Sequence, residues 1–227
     1  MRQVLRSAVE AFDLDRGGIY TMKQLFVNPG AAVQVYLGAN RFHYVPPFRI
    51  LIVTTALALF LIGLADFTQQ ANVDFSMGYA NSVEEHGGSP EDATEYILRI
   101  LGEIQGYFNF ILWTFIPFAA LFTWLINLNR KFNFAEHIVF HTYMFCISNL
   151  LSFIFPLDHI IPGWLILVVI YLFMFFYYVY GYKEFLNKSW LRSLFEIVLI
   201  LVFSSVMWSA LLAISLGFLI ASDMNAL

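Results

Sequence analysis

Five stretches of this chain are long and apolar enough to cross a lipid bilayer, which takes roughly 20 residues of helix. They run about Phe48–Ala65, Tyr107–Asn127, Ile138–Phe155, Ile160–Tyr182 and Leu194–Ala221. The third is diluted by His141, Ser148, Asn149 and Ser152, whereas the fourth holds no charged residue. Of the 227 residues, 60% are hydrophobic and only 12% charged, and 25 are phenylalanine. A soluble domain carries about a quarter charged residues. A water-soluble fold of this length cannot hide so much apolar surface, so a bilayer is the expected solvent. The expected fold class is an all-α integral membrane protein with about five transmembrane helices and N-terminal amphipathic interfacial helices. Residues 1–47 form a cytoplasmic interfacial region. Residues 48–227 form a transmembrane bundle with an outside segment at about 66–106.

Lysine and arginine set the orientation. Eleven of the twelve precede or open span one, or lie between spans two and three or between spans four and five, and only Arg99 falls on the other side. That split supports five crossings, a cytoplasmic N-terminus and a C-terminus outside. Tyr177, Tyr178, Tyr180 and Tyr182 form an aromatic belt at the cytoplasmic end of span four. The N-terminus MRQVLRSAVEAF is too polar for a signal peptide. The single cysteine, Cys146, rules out an internal disulfide and a cysteine-based zinc cluster within the chain.

Ahead of the first span, Val4, Leu5, Ala8, Val9 and Phe12 recur at helical spacing, and a second short helix is predicted over Thr21–Val27. Asn28–Gly30 reads as a turn, followed by a helix over Ala31–Leu37. Basic amphipathic pieces of this kind lie in the membrane interface or pack under the spans. Arg41, Pro46, Pro47 and Arg49 then mark a hinge between the interface and the first span. Proline disfavours helix in the residue before it and suits the first position of a new one. The arginines hold the junction at the anionic cytoplasmic face. In the outer segment, Ser89, Pro90, Glu91 and Asp92 predict a helix start, preceded by a mobile tip at EEHGGS.

The stretch YTMKQLFVNPGAAVQVYLGANRFHYVPPFRILIV carries Thr21, Lys23, Leu25, Pro29, Gly30, Tyr36, Leu37, Gly38, Arg41, Tyr44 and Pro47. It resembles the signature of a bacterial inner-membrane family classed only as a domain of unknown function. FAEHIVFHTYMF, with Glu136 and His137, is similar to that family's middle span, and YVYGYKEFLNKSW to its loop before the last span. The resemblance implies the bacterial inner membrane and supplies no activity. Many members carry an N-terminal cysteine-rich zinc ribbon; its cysteines are absent here, so no role of the ribbon carries over.

Glu136, His137 and His141 open span three. The two histidines are one helical turn apart, and imidazole is a common metal ligand, so these three residues could hold zinc. No cofactor is otherwise expected. Against this stands a structural reading, with His137 at the interface and His141 hydrogen-bonded inside the bundle. His137, His141, Ser148 and Ser152 fall within about 60° of one another around the helix, with Asn149 nearby. Such a polar stripe must face protein or water, not lipid. It is either interhelical bonding or a cavity wall. Span five carries Ser205, Ser209, Ala213 and Gly217 at intervals of four, a row of small residues that lets another helix approach. Pro117 predicts a kink in span two.

No phosphate loop, dinucleotide fingerprint or Cys-x-x-Cys is present. The basic residues sit where lipid headgroups explain them better than nucleic acid does. The expected partners are the bilayer, with anionic headgroups on the cytoplasmic side, and a second copy or another protein. Three functions stay open, in this order: assembly as an anchor, partner subunit or membrane-active effector; a small oligomeric channel or permease; and a membrane-embedded metalloenzyme.

Overall fold

A computed structural model describes residues 17–39, 41–62, 67–129 and 131–224. The helix expected over Val4–Phe12 lies outside them. The described residues form helices joined by short turns, without strands. Four helical stretches are long and apolar enough to cross a membrane: Arg41–Ile62, Phe134–Asp158, Gly163–Leu186 and Trp190–Ile214. The stretch expected as the second span appears as a shorter apolar helix, Ile111–Ile126.

The described part of the chain begins with α1 (Ile19–Val27) and α2 (Pro29–Leu37). The turn expected at Asn28–Gly30 shrinks to one residue, because Pro29 already occupies the first position of α2. Residues 17–47 are not set apart from the bundle. Leu25, Ala32 and Val33 lie in one buried core with Phe140, Tyr143, Ile147, Tyr182 and Phe185. A Cβ on Gly30 would stand 2.3 Å from the Gly181 carbonyl oxygen and 2.3 Å from the Phe185 nitrogen. Only glycine permits so close an approach of two backbones.

The junction to the first long helix, α3 (Pro47–Ile62), is pinned by its backbone. The Val45 N–H donates to Thr21 Oγ1 at 2.9 Å, and the Tyr143 hydroxyl donates to the Val45 carbonyl at 2.6 Å. Neither group of Val45 can join a helix while so engaged. The Pro46 carbonyl then receives Arg49 N–H and Ile50 N–H, which starts α3 at Pro47. The prolines break the chain, and α1 and the helix carrying Tyr143 hold the break in place.

Beyond α3 come α4 (Phe67–Glu85) and α5 (Pro90–Trp113), which pack on each other. The expected start at Ser89 is present: its Oγ accepts from Asp92 N–H at 3.4 Å, with Pro90 in the first position. EEHGGS forms a closed cap. Gly87 adopts φ +81°, and the N–H groups of His86 and Gly88 both reach the Val83 carbonyl. Helix α4 lacks an apolar period; among its described side chains the buried ones are Ser76 and Ala80, and among those of α5 it is Ala93. Small residues let these two helices approach.

Helix α6 (Phe115–Ile126) follows a break at Thr114. Pro117 explains the position of the break, because its ring clashes with the carbonyl four residues earlier, that of Trp113. Helix α7 (Phe134–Leu150) continues as a 3-10 segment, Leu151–His159. It is the hub of the bundle, contacting α1, α2, α3, α6 and α8 (Gly163–Leu186). Helix α9 (Trp190–Met224) packs on α6 and α8.

Candidate functional site

Buried polar side chains gather in three layers along α7. The first joins the ends of α6 and α8 to the start of α9. Lys188, in the α8–α9 turn, donates to Glu196 Oε2 and to Asn127 Oδ1. The Tyr182 hydroxyl donates to the same Glu196 oxygen at 2.6 Å and accepts from Asn127 Nδ2 at 2.8 Å. Asn127 Nδ2 also reaches the Thr123 carbonyl at 2.6 Å, and Arg192 Nε donates to Glu196 Oε1 at 2.8 Å. The Lys188 and Glu196 side chains are 1% and 7% exposed. A buried ion pair is tolerated only where its remaining hydrogen-bonding capacity is used. Here Asn127, Tyr182 and Arg192 use it.

The second layer is His141 with Thr123 of α6 and Tyr178 of α8. Nε2 lies 3.0 Å from Thr123 Oγ1 and Nδ1 lies 2.6 Å from the Tyr178 oxygen. The Thr123 hydroxyl is within 2.9 Å of the Ala119 and Ala120 carbonyls. With its single proton directed there, Nε2–H donates to Thr123 and Nδ1 accepts from Tyr178. This is a neutral imidazole with both nitrogens engaged. The third layer ties α7 to α3: Asn149 Nδ2 donates to Thr55 Oγ1 at 2.8 Å, and Trp113 Nε1 donates to the same oxygen at 3.2 Å.

The stripe predicted on span three is therefore divided. His141 faces α6 and α8, while Asn149 faces α3. Ser152 is buried and Ser148 half-buried. Glu136 belongs to a capping box with Asn133: its Oε2 accepts the Asn133 N–H at 2.6 Å, and its own N–H donates to Asn133 Oδ1 at 3.0 Å. His137 is fully buried, edge-on to Phe185 with ring centroids 5.5 Å apart, and neither ring nitrogen has a hydrogen-bond partner among the described residues. Glu136, His137 and His141 are not brought together as ligands. Among the described residues no three His, Cys, Asp or Glu side chains stand close enough to hold a metal ion.

Of the junction residues, Arg41 and Pro46 are exposed, Arg49 is half-buried and Pro47 is buried. Outside the spans, burial lifts the Tyr36 hydroxyl above its ordinary 10.0, the Arg41 guanidinium acting against it. In α9, Ser205, Ser209 and Ala213 are all exposed. The Lys188–Glu196 pair had a sequence signal, a lone acid eight residues after a lysine at the head of an apolar run.

Residues 15–59 match the family described as Protein of unknown function (DUF3667). That segment is the one folded into α1, α2, the Val45 junction and most of α3. No curated protein and no solved structure matches the chain.

Proposed function

We propose that this chain is an inner-membrane protein that acts by assembly, as an anchor or partner subunit whose bundle presents α9 to a second transmembrane helix. One observation carries the reading. Ser205, Ser209 and Ala213 succeed one another at intervals of four on α9, yet all three are exposed in the protomer. Two hydroxyls and a methyl side by side offer lipid little and let a neighbouring helix approach closely. The buried polar groups support the same reading. Those of Lys188, Glu196, His141 and Asn149 are spent on joining helices within the protomer, whereas His137, Ser193 and Ser204 have no hydrogen-bond partner among the described residues.

The test is cysteine crosslinking in the membrane. Ser209→Cys is expected to form disulfide-linked dimers, whereas Met207→Cys, about 160° away around the helix, is not. Equal crosslinking at both positions, or none at Ser209 together with a monomeric mass in nanodiscs, overturns the reading.

A further inference from the structure

A cleft of about 580 Å³ opens at the end of the bundle, where α6 and α8 end and α7 begins. Its floor includes the rings of Phe132 and Phe185, stacked with centroids 4.4 Å apart. Asn129, Lys131, Glu136 and Asn187 also line it. The side chains of Asn129, Lys131 and Asn187 make no hydrogen bond or ion pair to another described residue. Glu136 spends one carboxylate oxygen on the capping box, and nothing else described pairs with its charge.

We propose that this cleft binds one phospholipid whose headgroup carries both a phosphate and a primary ammonium, the chemistry of phosphatidylethanolamine. The phosphate would sit on Lys131, with the Asn129 and Asn187 amides as further donors, and the ammonium on Glu136. The glycerol and upper acyl carbons would rest on Leu37 and Phe132, which are half-buried, with the buried ring of Phe185 behind them. Three features of the cleft point there. Its size suits a bound amphiphile. Its floor is apolar while its polar groups are unspent. Its described lining side chains bring one positive charge, Lys131, and one negative, Glu136, which complement a zwitterion and not a bare anion. Its place at the ends of the bundle helices, near Lys183 and Lys188, is headgroup depth in a membrane-spanning bundle. The inference rests on that membrane reading.

Native mass spectrometry of the full chain tests it. The detergent-solubilised protein is offered phosphatidylethanolamine and phosphatidylglycerol of identical chains in equal amounts. One retained phosphatidylethanolamine is expected, preferred by about ten-fold, the worth of one well-made charged contact. Lys131→Ala, and Lys131→Gln as a second variant, should lose both lipids. Glu136→Gln keeps the capping box, because glutamine serves there as well as glutamate, and should abolish the preference while phosphatidylglycerol is still held. Melting temperatures of all variants should match the parent, which separates binding from folding. Equal retention of both lipids by the parent, unchanged binding in the Lys131 variants, or an unchanged preference in Glu136→Gln overturns the proposal. Displacement of the lipid by millimolar inorganic phosphate alone would mean a simple anion site and would overturn it too. If instead the protein fails to enter nanodiscs, the membrane reading fails first, and the two failures are told apart.

Discussion

At the scale of single residues, Lys188 and Glu196 bind the bundle most tightly. Removing one partner of a buried ion pair leaves the other charge uncompensated, at about 3–5 kcal/mol. Glu196→Gln is therefore expected to lower the melting temperature in detergent sharply. Replacing both, as Lys188→Met with Glu196→Leu, should recover part of that loss. A double variant as unstable as the sum of the two single variants would show that the pair is not coupled. His141→Ala strips Thr123 and Tyr178 of their shared partner and should destabilise by about 1–3 kcal/mol. His86→Ala should not, since His86 is exposed and its side chain bonds the Ser82 carbonyl in the last turn of α4, leaving its backbone bond to Val83 untouched. The inward direction of His141 was legible in the sequence, because a polar stripe on a membrane helix has to face protein. The ion pair was not read, because Lys188 and Arg192 also serve as orientation charges and Glu196 lies inside the apolar run. The split between His141 and Asn149 depends on which helices flank α7, and no single-helix pattern carries that.

At the scale of elements, the N-terminal helices depend on close approach more than on amphipathicity. Thr21 accepts from Val45, Tyr177 donates to the Leu25 carbonyl, and Gln34 Nε2 reaches the last carbonyls of α8, those of Glu184 and Phe185 at 3.0 and 2.9 Å. Gly30→Ala should release this bracket from α8. Limited proteolysis would then cut between α2 and α3 in the variant and spare the parent; equal protection of both would refute the close contact. Thr21→Val keeps the shape and loses the hydroxyl, leaving the buried Val45 N–H unpaired, and should cost about 1–3 kcal/mol. Most of these elements were readable from caps and prolines: Ser89–Pro90, Pro29 and Pro46–Pro47 all act at helix starts. Helix α4 was not, since it packs through Ser76 and Ala80 and shows no apolar period to find. The break at Thr114 was readable in kind from Pro117, though its place, three residues earlier, follows from the ring's clash with the preceding turn.

At the scale of the whole molecule, four helices are long and apolar enough to cross a membrane and Ile111–Ile126 is a shorter fifth, so the five crossings proposed from the sequence rest on the direction in which α6 runs. Asn127, at the end of α6, meets Tyr182 near the end of α8 and Lys188 just before α9. The ends of α6 and α8 thus share one face of the bundle with the starts of α7 and α9. Helix α3 runs in the same sense as α7, because Val45 meets Tyr143 and Thr55 meets Asn149. The chain therefore leaves that face along α3 and has returned to it by the end of α6. Ile111–Ile126 spans about 24 Å at 1.5 Å per residue, short of the roughly 30 Å hydrocarbon core. A fifth crossing would therefore need the last turns of α5 as well, and would place the Thr114 break inside the membrane. Five crossings put the two ends of the chain on opposite sides. Reporter fusions at Met1 and Leu227 should then give opposite signals, Met1 cytoplasmic and Leu227 outside, since eleven of the twelve lysines and arginines belong to sequence segments expected on the cytoplasmic side. A third fusion in the Asn127–Asn133 loop should agree with Met1. Matching signals from the two termini would mean that α6 enters and leaves by the same face, and would break the directional argument built on Asn127.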